Sequence, residues 1–127
     1  MNRRNFTKAA CGAVAASRTA AWIKRNEGEM ADQPLLVVAV LYAREGKADD
    51  LGRELQSRVP LSRKEPGCLE YHLSRGVDDK QLFVLHEKWR SKADLDQHFE
   101  MPYMKQWAVR RDEFVATREL LMLSELA

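Results

Sequence analysis

The chain has 127 residues, 45% of them hydrophobic and 31% charged, with a formal net charge of +2. That describes one soluble globular domain and excludes both a second ordinary domain and disorder throughout. The longest apolar run in the body, Pro34 to Ala43, is about half the length a helix needs to cross a bilayer, and Cys11 and Cys68 are too few for a disulfide scaffold or a four-thiolate zinc site, so they are read as free thiols.

Residues 1–29 carry six basic side chains against Glu27 and Glu29, a net of +4, which leaves the rest of the chain at −2 out of the total of +2. A mildly acidic body without a basic stripe is not built to neutralise a phosphate backbone, so nucleic acid is not an expected partner. Asn2-Arg3-Arg4-Asn5-Phe6-Thr7-Lys8, followed by the small residues Ala9 to Ala16, resembles a twin-arginine export signal. Its apolar stretch is weak and ends at Arg18. Two readings stand: a degraded leader that would direct the protein to the periplasm, or an extension upstream of a start at Met30. The cytoplasm is the expected location, and the fold is sought in residues 30–127.

Leu35 to Ala43 is a β-branched, nearly continuous apolar run, which suits a strand buried on both faces. Ala48, Leu51, Leu55 and Val59 then recur at helical spacing and predict a helix over about 47–62. Glu65-Pro66-Gly67 is a turn signal. In Cys68 to Arg75, Leu69, Tyr71 and Leu73 alternate with polar residues, and Leu82 to Trp89 follows as a second strand with Phe83, Leu85, Glu87 and Trp89 on one side. The two form a hairpin. Ser91 caps a bent helix expected over about 92–116, with Pro102 at the first turn of its continuation. A last strand is expected at 119–126. The order β-α-β-β-α-β is the ferredoxin-like arrangement, an α+β fold with a four-stranded antiparallel sheet and helices on one face. Two strands apolar on both sides need a second cover, so a homodimer with sheets packed face to face is expected.

The sequence holds no phosphate-binding glycine loop, nucleophile elbow or CxxC pair, and His72, His86 and His98 lack metal-ligand spacing. No metal site is therefore expected. Tyr71, Glu87 and Trp89 are in phase on neighbouring strands, and His98 lies on the apolar side of the second helix. If that phase faces the helices, the four residues line an aromatic hollow with Phe83 and Phe99. An imidazole there can take a phenolic proton. Each residue also has a plainer reading: Trp89 as core, His98 as a satisfied structural histidine, Glu87 as a buried hydrogen-bond acceptor.

Glu65-Pro66-Gly67-Cys68-Leu69-x-Tyr71, Phe83-Val84-Leu85-x-Glu87-x-Trp89, Ala93-x-Leu95-x-x-His98 and Pro102-Tyr103 resemble the antibiotic biosynthesis monooxygenase family, including its quinol monooxygenase-like members, over residues 35–126. The resemblance implies a dimeric α/β barrel. It also implies oxygenation of phenolic or quinol-type aromatic substrates by dioxygen without flavin, haem or metal, so that no cofactor is needed. On this reading His98 is the base and Trp89, Tyr71, Glu87, Phe83 and Phe99 bind substrate. Haem-degrading relatives use an asparagine on the first strand, and here asparagine occurs only at positions 2, 5 and 26. Other members are small-molecule isomerases or carry no demonstrated activity, so an isomerase and a non-catalytic dimeric ligand-binding or stress-response module remain as alternatives.

Overall fold

In the computed structural model, which describes residues 33–127, β1 (Leu35–Ala43) runs into α1 (Ala48–Arg63), the hairpin of β2 (Cys68–Arg75) and β3 (Leu82–Trp89), α2 (Lys92–Glu100), α3 (Pro102–Arg110) and β4 (Val115–Leu123). The leader and the alternative start at Met30 lie outside the described residues, as does Cys11. The strands order as β2-β3-β1-β4 with every neighbouring pair antiparallel, which is the ferredoxin-like α+β arrangement. No described helix is long and apolar enough to cross a membrane.

Strand parity decides which face the helices cover. Leu35, Val37, Ala39, Leu41 and Ala43 of β1 and Phe83, Leu85 and Trp89 of β3 are buried together with Leu51 and Leu55 of α1, Leu95 of α2 and Trp107 of α3. The opposite parity of β1 stays partly open, and Tyr42 is exposed. The expectation of a strand buried on both faces therefore holds for one face within a single copy of the chain.

The helix expected over 92–116 is two helices. Met101 between them is extended (φ −62°, ψ 139°), because the ring of Pro102 disfavours helical geometry in the residue before it. Pro102 then opens α3 where a missing N–H costs nothing. α3 ends at Arg110, a 3-10 turn covers Arg111–Glu113, and β4 starts at Val115, four residues before the expected strand. Burial of Phe114 and Val115 and the pairing of Val115 with Ala43 account for the shift. The expected cap is present, with the Ser91 side chain accepting from Asp94 N–H.

Candidate functional site

His98 sits in the last turn of α2 and is 1% exposed. Three elements fix its ring. The Trp89 indole at the end of β3 lies with its centroid 4.5 Å away, tilted by 38°, and the Tyr71 ring of β2 meets it edge-on at 5.9 Å. On the other side, Nδ1 lies 2.7 Å from Oε2 of Glu65. Glu65 is placed by the turn between α1 and β2: its N–H donates to Ser62 O at 3.1 Å and its carbonyl accepts from Cys68 N–H at 3.0 Å. The turn packs directly on α2, since a Cβ on Gly67 would run into the Asp94 side chain. The Tyr103 hydroxyl, in the first turn of α3, also donates to Glu65 Oε2 and lies 3.1 Å from the Ser62 hydroxyl.

A carboxylate only accepts, so the Nδ1 of His98 carries the proton and Nε2 is left with the basic lone pair. Burial holds the His98 pKa below its usual value, opposed by the hydrogen bond and charge of Glu65, with Arg58 pushing it further down. The imidazole is therefore neutral at neutral pH and able to accept a proton.

Glu87 faces the same interior. Its Oε1 accepts from the Trp89 indole N–H at 2.8 Å, and burial pushes its pKa up to about 7, the indole hydrogen bond opposing. A folded-state pKa raised from 4.5 to about 7 means that ionising this group costs stability as pH rises through that window, by up to about 3 kcal/mol at pH 8. Glu87→Gln is therefore expected to raise the melting temperature relative to wild type at pH 8 and to change it little at pH 5. A difference independent of pH in thermal unfolding would contradict the buried carboxylate.

Tyr71, Glu87, His98 and Phe99 thus line one cavity between helices and sheet, with Arg58, Arg118 and aliphatic walls from Leu41, Leu55 and Leu85. Trp89 is not among the lining residues; it packs against His98 at a tilt and donates its indole N–H to Glu87. Phe83 is elsewhere: it lines a depression with Gly52, Ser74 and Arg75. The interior cavity is about 50 Å³, room for one or two water-sized molecules and well short of the 300 Å³ or so of a ligand pocket. The expected ligand-sized hollow is absent there. A groove of about 590 Å³ lies on the far side of the Glu65–His98 pair, walled by Leu61, Pro66 and Met101 and reached by Glu65 and Tyr103.

Sequence reasoning missed Glu65, Ser62, Tyr103 and Arg58. Glu65 and Tyr103 enter the sequence reading only through the Glu65-Pro66-Gly67 turn and the motifs that resemble the family, with no role at the site. Arg58, 6% exposed, falls on the 51-55-58-62 stripe of α1, a spacing that could have singled it out as a charge on a buried face. His72 and His86 pair across β2 and β3 on the outer face, away from His98. No group of three or more histidine, cysteine or carboxylate side chains suited to a metal ion occurs among the described residues.

Residues 34–110 match the family model for antibiotic biosynthesis monooxygenase. The chain belongs to this family. Among the relatives is an uncharacterised protein of Synechocystis, 27% identical over 97 residues, with 76% of this chain and 66% of that protein covered. This chain thus spans slightly under two thirds of that relative's length. A Mycobacterium tuberculosis protein, Rv0793, provisionally named a monooxygenase, is 33% identical over 70 residues, with 55% of this chain and 68% of that protein covered. Among solved structures, the Pseudomonas aeruginosa protein PA3566 superposes with a TM-score of 0.73 at 32% identity, covering 76% of this chain and 98% of that one. These likenesses establish the family and its fold.

Proposed function

We propose that this antibiotic biosynthesis monooxygenase family member oxidises quinol-type or related phenolic substrates with dioxygen and without a cofactor, with His98 as the base. The observation that carries this reading is a neutral, buried imidazole whose Nδ1 is held by Glu65 and which lines a cavity with Tyr71, Glu87 and Phe99. Provisional monooxygenase names among the relatives support it. The phenolic hydroxyl gives its proton to Nε2. The Nδ1 proton then passes to Glu65, which borders the open groove, and from there to water. The resulting aryloxide is electron-rich enough to reduce dioxygen. Phe99, 36% exposed, and Met104 line this cavity, which must open beyond its present volume of about 50 Å³ to admit a ring.

The same proposal includes a homodimer. Leu36 pairs with Leu123 and Val38 with Leu121 across β1 and β4, giving one contiguous apolar band on the sheet face that the helices leave uncovered. A second copy of this face is its natural cover.

Oxygen consumption with menadiol tests the activity. Uptake above the autoxidation blank, proportional to protein, is the expected result. Uptake equal to the blank across several quinols would remove oxygenation, and conversion of a substrate without oxygen would favour the isomerase reading.

A further inference from the structure

Arg58 is a buried charge, 6% exposed. It sits on the buried stripe of α1 between Leu55 and Ser62, where an aliphatic side chain would serve packing alone. Its contacts do not account for its whole guanidinium. Nη1 lies 3.5 Å from Oε2 of Glu54, a carboxylate whose other oxygen is taken by Arg110 at 2.8 Å. The guanidinium carbon lies 3.9 Å over the Trp107 ring. Nη2 is buried with no hydrogen-bond partner among the described residues. An arginine stays protonated in a protein, so this is a buried donor on a permanent cation, and leaving it unmatched is costly.

Arg58 lines the interior cavity of about 50 Å³, and Arg118 lines it too. Its lining thus carries two guanidinium groups and one carboxyl, that of Glu87. With its lining closed it admits a molecule of about two or three small bonded atoms, the space of one or two waters. We propose that this cavity is a binding site for a small monovalent anion, with Arg58 Nη2 as its principal donor. The occupant is a compact anion such as azide, or superoxide when dioxygen takes one electron inside the cavity. The superoxide role rests on the oxidation proposed above: the aryloxide loses one electron to become an aryloxyl radical, dioxygen gains that electron, and Arg58 stabilises the anion so formed. The anion site itself stands on Arg58 and the cavity.

Sodium azide titrated into the full chain, at an ionic strength held with sodium sulfate, tests the site without turnover. Tryptophan fluorescence is the readout, because Trp107 lies under the guanidinium. A saturable response is expected, weakened about tenfold or more in Arg58→Met, as for loss of a charge-assisted hydrogen bond. Arg58→Lys, which keeps the charge and loses the planar fork, is expected to be weakened less. Arg58→Met puts an apolar side chain of similar length on the same stripe, and thermal unfolding checks that both variants fold. No saturable response in wild type, or equal affinity in wild type and both variants, overturns the anion site. Azide binding that depends on Arg58 in a protein that consumes no oxygen with menadiol upholds the site and removes its superoxide role, so the two proposals fail separately.

Discussion

His98→Gln is expected to lower the turnover number for quinol oxidation by about 10²–10⁴-fold, the range over which a positioned base contributes to catalysis. The expectation rests on one ring with two differently employed nitrogens. Nδ1 is engaged by Glu65 at 2.7 Å, so the remaining nitrogen alone can accept the substrate proton, and an amide cannot replace it. Glu65→Gln gives a finer test. In wild type the carboxylate raises the pKa of His98 against the larger lowering by burial. Removing that charge must lower the pKa further. Base activity is present above this pKa and lost as pH falls through it, so the acid limb of kcat/KM is expected to move to lower pH in Glu65→Gln. The plateau falls as well, because the neutral amide stabilises the imidazolium less. An unchanged acid limb in Glu65→Gln, or full turnover in His98→Gln, would separate oxidation from this imidazole.

Most of this geometry follows from two periodicities. The period of two along β2 and β3 sets Tyr71 opposite Glu87 and turns Trp89 toward the same side, so the aromatic group was legible from alternation alone. The period of a helix puts His98 beside Leu95 on the buried side of α2. Glu65 was not legible, because it belongs to a turn, where neither period applies and a side chain's direction is set by packing against an element 30 residues away in sequence. The interior volume was hidden for a related reason. Patterning tells which residues share a side and says nothing of how tightly their side chains pack, and the interior cavity of about 50 Å³ is a packing outcome of that kind. The second helix, expected to reach about residue 116, instead ends at Arg110, because Phe114 stands at helical spacing from Trp107 while its backbone has already left the helix.

Leu121→Glu is expected to convert the proposed dimer into a monomer, weakening association by about a hundredfold or more, as for a charge forced unpaired into an apolar interface. The sheet shows why this position is decisive. Leu121 pairs with Val38, which pairs in turn with His86 on β3, so residue 121 lies in a row that crosses the uncovered face. Leu121 is 39% exposed and Leu123 43%, and the band they form with Leu36 and Val38 has no helix over it. Within a single copy a glutamate at 121 reaches water and costs the fold little, so thermal stability of the monomer is a fair control. Between two copies it meets the partner's apolar band. Sedimentation velocity at micromolar concentration distinguishes the outcomes: wild type as a dimer with Leu121→Glu as a folded monomer supports face-to-face packing. Wild type as a monomer, or a variant still dimeric, means that this face is covered by something other than its own copy.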